Sequence, residues 1–239
     1  MKRLAAFTVV LLAALVPQQA AAAKLPYHET SRPVAHPKAW VIVIHAGGWR
    51  LVGSGMAGLE HPEVERLNGW GYGTLNIDYH RGARGLTDVL RFYDRLRRGE
   101  GRTTPICLDG ASAGGHLALM AAQRRKGVAC VITRAAPTRL DHLHGDLLKD
   151  AHHFFDPHGG LARWSPARYP LATPAVIAHG TGDPYVGFGD AKAMLRNAAH
   201  GKLVPLRPGD QPWVHTSVKR DDLRRFIRAE RRLLKQASA

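Results

Sequence analysis

Apolar runs of strand length alternate with segments of helical spacing along this chain, and that alternation constrains the fold more than any other feature. Trp40-Val41-Ile42-Val43-Ile44 is apolar without a break, the pattern of a strand covered on both faces. A helical segment is expected near Glu60 to Asn68 and a strand over Tyr72 to Tyr79. Within Leu86 to Leu96, the residues Val89, Leu90, Phe92, Tyr93 and Leu96 recur at helical spacing. Pro105 to Leu108, Val128 to Thr133, Ala175 to Ala178 and, last, Leu203 to Leu206 read as further strands. Ala191 to Ala199 reads as a helix, and Asp221 to Leu234 as a closing helix with Leu223, Phe226, Ile227, Leu233 and Leu234 on one face. The expected fold class is α/β, a mostly parallel central sheet with helices on both faces. Ligands of such sheets bind beyond the carboxyl ends of the strands. Two stretches lack a clear period: a Pro-rich, extended leader (Leu25 to Pro37) and an irregular His-rich stretch, Asp141 to Tyr169, which reads as a small lid-like insertion.

With 239 residues the chain can bury a full core, and residues 24–239 read as one domain. The N-terminus has the layout of an export signal over residues 1–23. Lys2 and Arg3 precede an apolar core from Leu4 to Val16, Pro17 breaks it, and small residues lead to a cleavage point near Ala22 or Ala23. A secreted, periplasmic or extracellular protein is therefore expected, with no stable membrane insertion once the signal is removed, because the apolar core is short for spanning a bilayer. The 34 Lys and Arg outnumber the 19 Asp and Glu, for a formal net charge of +15. A field of that sign attracts anionic surfaces. The basic residues are scattered, however, and no basic stripe interleaved with aromatics appears, so a solvated basic surface rather than a nucleic-acid site is expected. Cys107 and Cys130 are the only cysteines. An exported chain could join them, but pairing across adjacent parallel strands demands awkward geometry, and two buried thiols are the expectation.

The chemistry concentrates at Thr104 to Ala121, where a strand-like run meets Gly110-Ala111-Ser112-Ala113-Gly114 and then an Ala/Leu/Met run suited to a helix. This is the pattern of a nucleophile elbow, a serine on a strained strand-to-helix turn with its hydroxyl pushed out above the sheet. A serine hydroxyl needs a base to take its proton and a third group to orient that base. After a Ser elbow the acid and then the His follow in the chain. Asp183, in His179-Gly180-Thr181-Gly182-Asp183-Pro184 just past a strand, is the candidate acid, although Asp before Pro is also an ordinary turn residue. Asp190 is the weaker rival. His215 follows the last expected strand, in the loop Pro208 to Thr216, and is the candidate base; His200 competes but precedes that strand, and His179 reads as structural. Attack on a carbonyl builds an oxyanion that needs pre-placed N–H donors. Gly47 and Gly48 of His45-Ala46-Gly47-Gly48, together with the amide of Ala113, are the candidates.

Two other patterns compete. Gly53-Ser54-Gly55-Met56-Ala57-Gly58 matches GxGxxG with Asp78 downstream, but His45 to Val52 separates it from its strand, which argues against a dinucleotide site. The aspartates and histidines crowded between Asp141 and His158 include metal-ligand spacings, yet no HExxH or Cys pairing supports them, so neither metal nor cofactor is expected.

Taken together, HAGGW, GASAGG, HGTGDPYV and a late His resemble the α/β-hydrolase superfamily, in its esterase/lipase branch with an HGGGW-type oxyanion motif. Asp78-Tyr79 and Trp164-Ser165-Pro166 add to the likeness, which runs from about Val41 to the closing helix. The resemblance implies a serine carboxylesterase acting on a small-molecule ester through an acyl-enzyme. Ser112 would be nucleophile, Asp183 acid and His215 base, with Gly47, Gly48 and Ala113 as oxyanion donors. Ala46 replaces the usual first glycine, His80 stands where Arg often follows Asp-Tyr, and His215 lacks a glycine-rich lead. There is no room for the large N-terminal cap of many relatives, which implies a fairly open site. The HGTGD loop also resembles prolyl-oligopeptidase-like peptidases, and the HAGGW and ASAGGH pair resembles arylformamidases. A basic envelope- or glycan-binding protein on a hydrolase scaffold is the non-enzymatic alternative.

Overall fold

The computed structural model describes residues 28–30 and 34–239. The expected export signal, 1–23, lies outside the described residues, as do 25–27 and 31–33 of the Pro-rich leader. In chain order the elements are β1 (His28–Thr30), β2 (Trp40–Ile44), α1 (Ser54–Gly58), α2 (His61–Gly69), β3 (Gly73–Ile77) and α3 (Arg84–Arg98). There follow β4 (Ile106–Ala111), α4 (Ala113–Ala122), β5 (Val128–Arg134), α5 (Gly145–Phe155), α6 (Gly160–Arg163), β6 (Ala175–Gly180) and α7 (Phe188–Arg196). The chain closes with β7 (Gly201–Leu206), β8 (Pro208–Pro212), β9 (Ser217–Val218) and α8 (Arg220–Ala237).

Seven strands form one sheet in the order β1-β3-β2-β4-β5-β6-β7. Every pairing from β3 to β7 is parallel, and only β1 runs antiparallel, along β3. Strand periodicity divides the core. Trp40, Ile42 and Ile44 face a layer with Val89 and Phe92 of α3, Leu117 of α4 and Met194 of α7. Ala39, Val41 and Val43 face the opposite layer, with Val64 and Leu67 of α2 and Phe226, Leu233 and Leu234 of α8. Both faces of the sheet are covered, which is why its strands are apolar at successive positions. Among the described residues no helix is long and apolar enough to cross a membrane.

Three local expectations are corrected. Cys107 and Cys130 are opposed in register on β4 and β5 with Cα atoms 4.6 Å apart, and they form a disulfide rather than two buried thiols. The stretch 141–169 is largely helical: α5 carries Leu147, Leu148, Ala151 and Phe155 at helical spacing, and their packing onto the core orders it. Beyond β7 the chain is not a simple loop but an antiparallel ribbon, β8 with β9.

Asp109 of β4 and Arg134 of β5 point into the layer beneath α2 and α8, where Glu60, Glu63, Arg66 and Glu230 complete a buried charge cluster. Arg134 donates to Asp109 (3.1 Å) and Glu60 (2.7 Å), and Arg66 to Glu230 (2.9 Å). Four carboxyls face two guanidiniums here. Burial pushes the Asp109 carboxyl up to about 7; Arg134 opposes the rise, and Glu63 and Glu60 add to it. Burial also pushes Glu230 up, with Glu63 beside it. An acid that holds its proton more tightly folded than unfolded favours folding at low pH and loses that contribution as pH climbs from about 4 to about 7. Urea midpoints should therefore fall between pH 5 and pH 8, and Asp109→Asn should flatten the fall. An unchanged pH profile in that variant would remove Asp109 as the source.

Candidate active site

Ser112 caps α4 at the carboxyl end of β4 with φ 48° and ψ −118°, the strained turn that an elbow requires. Its amide donates to the Arg134 carbonyl (2.8 Å), and its carbonyl accepts from His116 N–H (3.0 Å). The neighbouring glycines are demanded by contact: a Cβ on Gly110 would stand 2.4 Å from the Gly114 carbonyl oxygen, and one on Gly114 2.2 Å from that of Ile44.

The structure brings the three separated candidates together. Ser112 Oγ lies 2.8 Å from His215 Nε2, and His215 Nδ1 lies 2.9 Å from Asp183 Oδ2. His215 sits in the turn between β8 and β9 with φ 68°, closed by a hydrogen bond from Trp213 N–H to the Thr216 carbonyl (2.9 Å). Trp213 packs edge-on against Phe226 of α8 (5.1 Å), which ties the ribbon to the core. Asp183 is both a turn residue and the hydrogen-bond partner of His215. Its Oδ1 accepts the amides of Tyr185 (2.9 Å) and Val186 (3.0 Å), leaving Oδ2 for the imidazole. Burial alone would raise the Asp183 carboxyl; the His215 hydrogen bond and charge and these two amides outweigh it and hold it below its ordinary value.

The rivals are occupied elsewhere. Asp190 accepts from the amides of Thr138 (2.9 Å) and Arg139 (3.1 Å) and from the Arg139 side chain. His200 stands at the start of β7, at the opposite end of the sheet from Ser112. His179 is buried and donates from Nε2 to the Val186 carbonyl (2.8 Å).

Gly47 and Gly48 face Ser112 across a cleft of about 360 Å³. Both have positive φ, 129° and 59°, a conformation open to glycine that turns this segment around the serine. Ala113 is the first residue of α4, so its N–H has no partner within the helix. The segment is anchored from behind. His45 Nε2 donates to Asp78 Oδ1 (2.9 Å), its ring stacks on Tyr79 (4.3 Å), and the Tyr79 hydroxyl donates to the His45 carbonyl (3.0 Å). Asp78 Oδ2 accepts the Gly53 amide (2.8 Å), so the two ends of the GxGxxG pattern meet each other.

Several contributors carry no motif. Leu147 and Asp150 of α5 line one wall, Tyr185 lies edge-on to His215 (5.5 Å), and Arg50 reaches Asp150 (3.4 Å) over the rim. The apolar spacing of α5 was the available signal for Leu147. The histidines of this stretch assemble no ligand set; among the described residues the one metal-capable group is Glu63, Asp109 and Glu230, inside the arginine-bridged cluster.

Beneath the serine, His116 receives Trp49 Nε1–H at Nδ1 (3.2 Å), so its own proton is on Nε2, which donates to the Trp164 carbonyl (2.7 Å). Burial pushes its pKa down to about 4, keeping it neutral. It thus joins the Gly47–Gly48 segment, the Ser112 helix and the segment after α6. His116→Ala would leave two buried polar groups unpaired beside a cavity, and chemical melts should show a loss of about 3 kcal/mol; a loss under about 1 kcal/mol would argue that the three segments hold without it.

No protein-family model matches the chain, and no curated protein sequence matches it either. Solved structures do match. Esterase 2 of Thermogutta terrifontis, phosphonylated by sarin, aligns over 90% of this chain and 86% of its own, at 20% identity and TM-score 0.65. An esterase from the bacterial hormone-sensitive lipase family aligns over 89% and 82%, at 15% identity and TM-score 0.64. The Pyrococcus furiosus esterase aligns over 84% and 82%, at 17% identity and TM-score 0.62. The chain shares the fold of these esterases.

Proposed function

We propose that this chain with the α/β-hydrolase fold is a serine carboxylesterase of small esters. One observation carries the reading: the Ser112–His215–Asp183 hydrogen-bond chain opens onto a cleft faced by Gly47 and Gly48. His215 Nε2 takes the Ser112 proton as Oγ attacks the ester carbonyl, and Asp183 stabilises the imidazolium. The amides of Gly47, Gly48 and Ala113 receive the oxyanion. The imidazolium then gives its proton to the departing alcohol, leaving an acyl-serine. Water, activated by the same imidazole, adds to that acyl group, and the carboxylic acid leaves as Oγ recovers its proton. The esterase names of the similar structures support this reading. The export-signal layout of residues 1–23 supports action outside the cytoplasm.

The cleft is small, and Leu51 and Leu147 narrow it. Short acyl groups are expected to be preferred, with p-nitrophenyl acetate and butyrate turned over faster than the decanoate. Each methylene that fails to fit costs about 1–3 kcal/mol of discrimination. Leu147→Ala should move the optimum toward longer chains by about two carbons. An optimum unmoved by that change would place the acyl group elsewhere. Preference for anilides or formamides over the matching esters in the same panel would reassign the chain to an amide hydrolase.

A further inference from the structure

Larger clefts than the one at Ser112 lie at the other end of the sheet, where strands begin and helices finish. One, of about 600 Å³, is lined by Gln123, Arg124, Arg163, Tyr169 and Pro170. A second, of about 530 Å³, shares Gln123, Arg124 and Pro170 and continues past Arg125, Lys126, Thr173 and Pro174. The shared residues make them one trough, walled on one side by the end of α4 and on the other by the segment from Tyr169 to Pro174. No carboxylate lines either part.

The charges along this trough are poorly compensated. Arg125 is paired with Asp94 at 3.0 Å, but among the described residues Arg124, Lys126 and Arg163 have no carboxylate partner. Arg124 donates to the Met120 carbonyl (3.1 Å) and lies over the Trp164 ring (5.5 Å). Partial desolvation there pushes its pKa down; Tyr169 opposes the fall, and the Arg163 charge adds to it. A guanidinium set beside a like charge without a counter-ion is a position that a bound anion stabilises.

We propose that this trough binds a linear acidic polysaccharide, whose sulfate or carboxylate groups are received by Arg124, Lys126 and Arg163. The two clefts join through Gln123, Arg124 and Pro170, so the basic residues lie along one connected path on which successive charged sugars of a chain can be received. Pro170, Ala172 and Pro174 offer an uncharged wall for the apolar faces of sugar rings. Tyr169 is the one aromatic ring lining it, too few for the stacked bases of a single-stranded nucleic acid. The proposal is independent of the esterase reading, because no trough residue lines the Ser112 cleft.

The test is titration of the full chain with a heparin octasaccharide at several salt concentrations. Three proteins are compared: wild type, Arg124→Ala/Lys126→Ala/Arg163→Ala, and the charge-matched control Lys202→Ala/Arg228→Ala/Arg232→Ala on β7 and α8. The trough variant should bind at least about tenfold more weakly, with the slope of log K against log salt reduced by about two to three. The control should lose less than about threefold. Lys126→Ala/Arg163→Ala, which leaves Arg124 on Trp164, should lose affinity in the same direction, and the melting temperature of each variant reports that it is folded. Equal losses in the trough variant and the control would overturn the proposal, as would no binding at low salt. Tighter binding of duplex DNA or of anionic phospholipid vesicles through the same three residues would replace the polysaccharide with that partner.

Discussion

Ser112→Ala is expected to lower turnover of p-nitrophenyl acetate by about 10⁴- to 10⁶-fold while leaving the melting temperature close to wild type. In the proposed acyl-enzyme route the Ser112 hydroxyl oxygen is the atom that bonds to the acyl carbon, so the substitution removes that route. The remaining parts, His215 and the Gly47–Gly48 segment, would give at most the residual rate of an oxyanion site without a nucleophile. The backbone at this position, φ 48°, is held by the Arg134 carbonyl and the His116 amide and does not depend on the hydroxyl. Stability and activity should therefore separate. His215→Ala should fall almost as far, because the three groups act as a unit and their losses do not add. A Ser112→Ala protein retaining more than about a tenth of wild-type turnover would place the chemistry on another residue.

The second large effect concerns folding. Gly114→Ala is expected to cost more than about 4 kcal/mol and to yield little soluble protein. The added carbon would lie 2.2 Å from the Ile44 carbonyl oxygen and 2.4 Å from that of His45. Both are backbone atoms at the end of β2, fixed by parallel pairing to β3 and β4, so neither can give way as a flexible side chain would. The clash arises because α4 must start close against β2 if the serine is to project over the sheet. Gly69→Ala at the end of α2, where nothing lies within 4 Å, is the control and should be close to neutral. A Gly114→Ala protein with an unchanged urea midpoint would mean that α4 can withdraw from β2.

These two residues also mark what was readable in the sequence. Gly110, Ser112 and Gly114 stand at fixed spacing because the elbow is made within five residues, so its chemistry is local and visible. The strands flanking it were legible because burial on both faces removes polar residues. Where packing depends on distant partners, no local pattern carries the signal. The ribbon holding His215 has Pro208 and Pro212 at the ends of β8, which speak against a strand, and its stability comes from Trp213 on Phe226. The α5 wall was hidden by the histidines and aspartates of its exposed face, although Leu147, Ala151 and Phe155 kept their helical spacing. The Cys107–Cys130 bridge follows from the register of β4 with β5, which no local pattern reports. The charge cluster of Asp109, Arg134 and Glu230 was equally invisible, since its members come from β4, β5 and α8. Asp78, which the GxGxxG pattern would put on a ribose, instead holds His45 and Gly53 behind the cleft, in keeping with its place in the Asp78-Tyr79 motif.

The most direct measurement is peptide mapping by mass spectrometry after brief exposure of the folded chain to a fluorophosphonate. The expected result is one adduct, on Ser112, that is absent from denatured protein and from His215→Ala. An adduct formed equally well on denatured protein, or carried by any residue other than Ser112, would contradict a nucleophile activated by His215 and Asp183.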